Sequence, residues 1–193
     1  MQFPKSVIDA ALRQESAGHF APPPPRLRVL GVDTSLRSTG LGIVEFDAGR
    51  LRYVDARPVR NKPTLSLTEC LLNLRKTTEA YIEEFKPDEA AFEGVFFFRN
   101  PKTALILGQA RGVILCACAA AGIPSYEYPP KRVKQAATGA GAAVKGQVQA
   151  MMKALFSLDV LPQEDAADAL AIAVAHAHER ENEEIAKSRN HIL

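Results

Sequence analysis

The 193-residue chain has no tryptophan, only three cysteines (Cys70, Cys116, Cys118) and no CxxC spacing. That odd, unpaired set argues against a disulfide framework. Net charge is also nearly absent: 24 Lys and Arg stand against 22 Asp and Glu, a formal +2. Taken whole, that total offers little to a nucleic-acid backbone. The longest uninterrupted apolar run, from Gly112 to Ile123, has 12 residues and falls short of the roughly 18 to 20 that cross a bilayer. No basic segment followed by an apolar core opens the chain, so no signal peptide is expected. These absences lead us to expect a soluble, cytoplasmic protein with no membrane partner. The composition is otherwise that of a globular chain, 47% hydrophobic and 24% charged. Its length suits one domain of roughly 150 residues with some excess.

The excess lies at the ends. Residues 1–26 contain Pro22-Pro23-Pro24-Pro25, a stiff polyproline spacer. Upstream, Val7, Ile8, Ala11 and Leu12 would share one stripe of a short helix. The segment reads as a flexible tail or as a partner-docking helix. A single domain is expected over 27–180, with a polar C-terminal tail at 181–193. Within it, Leu27–Asp33, Thr39–Phe46 and Leu51–Arg57 read as strands joined by turns too short for anything but an antiparallel meander. A helical stretch, Ser66–Phe85, stops before Pro87. Ala90–Glu93 then returns as a short strand, placed by its helical crossover parallel to the first. A helix over 101–121, a strand over 124–128 and a helical remainder broken at Gly139–Gly141 complete an α/β chain. The expected architecture is a mixed five-stranded sheet with helices on both faces.

Four acids fall at informative places on that scaffold. Asp33 closes the first strand and Glu93 the fourth, so adjacent parallel strands would bring both to one sheet edge. Asp165 and Asp168, three apart, share a face near a helix start. Singly, each has a plain reading: Asp165 complements a helix dipole, and Asp33 starts a turn at Thr34-Ser35. Glu93 is less ordinary, because a charge inside an apolar run must be paired or bind a cation. Four crowded carboxylates stay ionised only beside cations, and oxygen-only donors suit Mg²⁺ or Mn²⁺. Two such ions can activate a water and stabilise a leaving phosphodiester oxygen.

The basic residues divide the chain. Residues 1–98 are balanced, residues 99–145 carry seven basic groups and one acid, and residues 146–193 carry four basic groups and eight acids. The middle block (Arg99, Lys102, Arg111, Lys131, Arg132, Lys134, Lys145) is either a solvated surface or a phosphate-binding one. Phe96, Phe97 and Phe98 precede it in a loop, as core plugs or as a surface for stacking an unpaired base. His176 and His178, two apart on a helix, do not form a zinc pair, and Cys116 and Cys118 read as buried core.

Leu30-Gly31-Val32-Asp33 with Ser38-Thr39-Gly40, Phe92-Glu93-Gly94-Val95-Phe96, Leu107–Gly112, Arg132-Val133-Lys134-Gln135 and Asp165–Ala173 occur in the order found in the RuvC Holliday-junction resolvases. From Leu27 to His178 the chain resembles that family. The resemblance implies a ribonuclease H-like fold and a crossover junction endodeoxyribonuclease leaving 5′-phosphate and 3′-hydroxyl ends. It implies that Asp33, Glu93, Asp165 and Asp168 bind two Mg²⁺ ions per subunit, with Mn²⁺ able to substitute. Lys134 and Lys145 would contact phosphate and stabilise transition-state charge, and Phe96 would stack near the junction centre. Arg99, Arg111, Lys131 and Arg132 would extend the DNA-binding surface. The partners implied are four-way junction DNA, a second copy joined through the helix after Pro101, and the RuvA and RuvB branch-migration proteins that accompany many members. Thr34-Ser35 replaces a common Pro-Gly, and Gly94 a common Gln. Alternative readings are a ribonuclease H-like nuclease acting on other branched DNA or RNA–DNA hybrids, and a non-catalytic junction binder. An actin-like ATPase shares the Gly31–Ser35 pattern but needs two such halves, and Gly139–Lys145 fails the P-loop spacing.

Overall fold

The computed structural model describes residues 26–94 and 100–189. The expectations for residues 1–25, Phe96 and Arg99 lie outside the described residues, as does the side chain of Lys145. Strands β1 (Arg26–Asp33), β2 (Ser38–Asp47) and β3 (Arg50–Arg60) form the antiparallel meander. The β2–β3 turn has positive φ at both Ala48 (46°) and Gly49 (78°), the hairpin geometry whose twist matches the strands. Helix α1 (Leu67–Phe85) starts at a capping box between Ser66 and Glu69 and ends at Lys86 in the left-handed region. Strand β4 (Glu89–Glu93) lies parallel to β1. Helix α2 (Pro101–Ala120) leads to β5 (Ser125–Tyr128), parallel to β4. Helices α3 (Pro130–Thr138), α4 (Lys145–Leu155) and α5 (Glu164–Arg189) follow. The sheet order is β3-β2-β1-β4-β5, the mixed five-stranded sheet expected from the sequence.

Some boundaries differ for physical reasons. Strand β3 runs past Arg57 through Pro58, which an edge strand tolerates because its outer amide needs no ladder partner. Helix α5 continues to Arg189, so the expected tail from 181 begins as helix. Helix α2 is, by length and composition, long and apolar enough to cross a membrane, with a mean hydropathy of 1.6 over 18 residues. The 12-residue run understated it because Arg111 interrupts the run but not the helix. Ala110, Ile114, Ala117 and Cys118 pack inward, whereas Leu105, Gly108, Gly112 and Cys116 are exposed. Cys116 is therefore not core: two positions on a helix are about 200° apart, so only Cys118 is buried. Burial pushes the Cys118 thiol up to about 11.

The period-two alternation of the strands divides the core into two layers. Leu30, Val32, Leu41, Ile43, Ala90 and Phe92 face α1 and α2. Leu27, Val29, Val44, Phe46 and Ala91 face α3, α4 and α5. Gly31, Gly40 and Gly42 fall on this second face, opposite the alanine-rich start of α5. A Cβ on Gly31 would lie 1.9 Å from the Ala169 carbonyl oxygen, and one on Gly40 would lie 1.8 Å from that of Asp165. Backbone therefore meets backbone where α5 crosses β1 and β2. Gly31→Ala is expected to force α5 outward and to cost about 3 kcal/mol, the upper end for overpacking, read as a lowered urea midpoint at unchanged slope.

Candidate active site

The register of β1 and β4 pairs Val32 with Phe92. The next residues, Asp33 and Glu93, therefore leave the same sheet edge side by side. Alternation places both on the face that looks to α5, with Gly31 and Ala91. The first turns of α5 cross that edge and supply Asp168. Together Asp33, Glu93 and Asp168 line a cavity of about 240 Å³ with Lys134 from α3, against an apolar wall of Val133, Val148 and Ile172. Two strand ends and three helices thus converge on one cleft.

Asp165 sits on the flank. Its Oδ2 accepts a hydrogen bond from Ser38 Oγ at the start of β2, and it is not among the residues lining the cavity. The donors are all carboxylate oxygens, the set a hard divalent cation takes. Carboxylates held beside an apolar wall also favour such a cation. The residues thus fit that class of ion in their chemistry. Among the described residues no three acidic, histidine or cysteine side chains form a ready-made metal-binding group as they stand.

The expected basic residues have unequal surroundings. Lys134 is in the cavity wall and Lys131 is exposed on α3. Arg132 forms an ion pair with Glu179 at 2.5 Å. Arg111 donates to the Glu93 carbonyl at 2.7 Å and to Glu127 at 2.5 Å, with its guanidinium 5.0 Å from the Phe92 ring centre. It braces the main chain that presents Glu93. The turn after Asp33 is braced too. Thr39 Oγ1 accepts from the Ser35 amide at 3.2 Å, and Asn61 reaches across from the end of β3 to donate to the Leu36 carbonyl at 2.7 Å. Thr34-Ser35 is therefore held without the common Pro-Gly.

Sequence reasoning missed the bracing by Thr39 and Asn61 and read Arg111 as a DNA contact, and it missed a buried polar network behind the cavity. His176, fully buried on α5, shares a 2.7 Å hydrogen bond at Nδ1 with the Tyr128 hydroxyl and a 2.5 Å one at Nε2 with Glu89. Arg180 donates to the other Glu89 oxygen at 2.7 Å. The only signal was an acid at the head of an apolar strand, Glu89, matching a polar stripe on α5. Burial by itself would raise the Glu89 carboxyl. The hydrogen bond and charge of His176, joined by Arg180, outweigh it and hold the group below its usual 4.5.

The family profile described as Crossover junction endodeoxyribonuclease RuvC matches residues 29–176. The chain belongs to the RuvC family. A RuvC crossover junction endodeoxyribonuclease from Chloroflexus aurantiacus is 47% identical over 147 residues, covering 76% of this chain and 90% of that one. Among solved structures, T. thermophilus RuvC in complex with a Holliday junction substrate has a TM-score of 0.75 at 33% identity, covering 81% of this chain and 96% of that one. The yeast mitochondrial Holliday junction resolvase Ydc2, at 13% identity and a TM-score of 0.63 over 83% of this chain and 82% of that one, shares the fold. The RuvC family is one of metal-dependent nucleases, in keeping with the all-oxygen donors of the cleft.

Because the folded Glu89 carboxyl is held low, the stability contributed by its pairing is complete above its usual value. It is lost as pH falls through the lowered one. Glu89→Gln is expected to cost about 3 kcal/mol near neutrality. It should also flatten the loss of stability as pH falls below the usual 4.5, as followed by urea unfolding at each pH.

Proposed function

We propose that this RuvC protein is a structure-selective endonuclease that resolves four-way DNA junctions by metal-dependent phosphodiester hydrolysis, making symmetric paired nicks in homologous recombination and repair. The observation that carries the reading is the convergence of Asp33, Glu93 and Asp168 with Lys134 on one cavity. Asp165 joins the set from the flank. The two Mg²⁺ ions these carboxylates would hold, with Mn²⁺ as a substitute, supply the charge that activates water and stabilises a departing oxygen. The chain's own residues do the rest. The carboxylates orient the attacking water in line with the scissile bond and accept its proton. Lys134 offsets charge that develops on the phosphate, and the apolar wall lowers the local dielectric and strengthens both effects. The products are a 5′-phosphate and a 3′-hydroxyl.

Lys131, Lys134 and the Lys145 end of α4 lie on the segments that flank the cleft, as a backbone-binding surface requires. With Phe96 and Arg99 they complete the proposed DNA path. Arg111 and Arg132 belong to the same basic block, but their protein partners give them a bracing function as well. A homodimer would set two clefts against two opposed strands. The exposed apolar and glycine positions of α2 (Leu105, Gly108, Gly112) suit a close two-fold helix contact. Work in the cytoplasm beside RuvA and RuvB fits this activity.

The reading is tested with a mobile four-way junction, a linear duplex, a flap and an RNA–DNA hybrid, each with Mg²⁺ or EDTA. Paired nicks confined to the four-way junction are expected, and preferential cleavage of the hybrid or flap would overturn it. Asp33→Asn is expected to abolish cleavage while leaving junction binding intact in a mobility-shift assay. Lys134→Ala is expected to weaken binding and to lower the slope of log K against log salt by about one phosphate, measured by anisotropy across a salt series.

A further inference from the structure

Tyr128 links the strand end that carries Glu93 to the buried network, and the proposed reaction uses neither it nor His176. As the last residue of β5 it pairs with Glu93, and its carbonyl accepts the Gly94 amide at 2.8 Å. Any displacement of Tyr128 is therefore passed to the Glu93 main chain. Its hydroxyl meets His176 Nδ1 at 2.7 Å. His176 lies on α5 one turn beyond Ile172 and two beyond Asp168, both of which line the cavity. On its other side His176 is bonded to Glu89, which shares a face of β4 with Glu93, about 13 Å along the strand. The Tyr126 ring, with its centre 4.7 Å from that of His176, and Arg180, 5.9 Å from the Tyr126 ring centre, close the network.

We propose that Tyr128 and His176 are positioning residues for cleavage, their hydrogen bond setting the spacing of Asp168 and Glu93 across the cavity. The inference rests on the active-site reading above. Two rigid elements carry the two carboxylates, and the network is the polar tie between them one or two turns behind the site. His176 Nε2 meets the Glu89 carboxylate and Nδ1 meets the Tyr128 hydroxyl, so each ring nitrogen has a hydrogen-bond partner. Both ring nitrogens are then fixed, and with them the rotation of the imidazole, which apolar packing alone would leave less defined. Stability is a weak reason for such a network, since buried charged groups replaced by apolar ones of like volume often cost nothing. Directional control of the carboxylates is the function the geometry supports. Groups that orient metal ligands in this way commonly change affinity or activity 10- to 100-fold.

The test uses the full-length protein. Tyr128→Phe keeps the ring and removes the hydroxyl, and His176→Gln is the second variant. Mn²⁺ binding is read by electron paramagnetic resonance without DNA, junction binding in EDTA, and kcat and KM across Mg²⁺ concentrations. Expected for both variants are about tenfold weaker Mn²⁺ binding and about tenfold lower kcat, with KM and binding in EDTA unchanged. Ile82→Ala, in the opposite core layer, is the control for lost stability: it should lower Tm without moving Mn²⁺ affinity. Wild-type Mn²⁺ affinity and kcat in Tyr128→Phe, beside an inactive Asp168→Asn, would overturn the positioning inference alone. Equal Mn²⁺ weakening in Ile82→Ala would overturn it as well. Cleavage by Asp168→Asn at the wild-type rate would overturn the active-site reading and this inference with it.

Discussion

The close approach of α5 to the sheet is the constraint from which the rest of the structure follows. Where α5 crosses β1 and β2 there is no room for a single Cβ at Gly31 or Gly40. The helix answers with Ala166, Ala167, Ala169 and Ala173, all buried. Small residues on both sides let two backbones meet, and an interior this dense transmits displacement rather than absorbing it. Asp165 and Asp168 ride on the helix at this crossing. Their distance from Asp33 is therefore set by glycine and alanine, residues that take no part in the chemistry.

Around this contact the molecule arranges charge unevenly. On the face of β4 that looks to α5, Glu89 and Glu93 bracket Ala91. The first is buried and bound by His176 and Arg180, and the second opens into the cavity. The same strand thus supplies one acid to the buried network and one to the cavity wall. On the opposite face Arg111 bonds the Glu93 carbonyl, so the strand end is braced from both layers. The near-zero net charge of the chain averages over these regions, and over a basic middle and an acidic end that meet at Arg132–Glu179 and in the cavity.

Much of this was legible in the chain. The meander, the crossover to β4 and the convergence of Asp33 with Glu93 followed from turn length, period-two alternation and the parallel placement a helical crossover imposes. The spacing of Asp165 and Asp168 put both on one helix face. What that spacing could not tell was where each carboxylate points. Asp168 turns into the cavity, whereas Asp165 meets Ser38, a residue 127 positions away in sequence. Arg111 was read as one more cation of a basic block. Its bonds to Glu93 and Glu127 depend on α2 crossing the β4–β5 pair, which no local pattern encodes. His176 was read only against His178, because its partners Tyr128 and Glu89 are 48 and 87 residues distant.

By itself, then, the sequence determined which elements form, in what order they pair, which acids reach the same edge and which family the chain resembles. These depend on periodicity, turn chemistry and motif spacing, all local properties of the chain. Only the tertiary structure decided how side chains are shared out at and behind that edge: three carboxylates and a lysine in the cleft, one aspartate on a serine, three arginines on glutamates, and a buried histidine tying helix to sheet. Those choices are made by contacts between residues far apart in the chain, and they exist only once the helix has closed on its glycines.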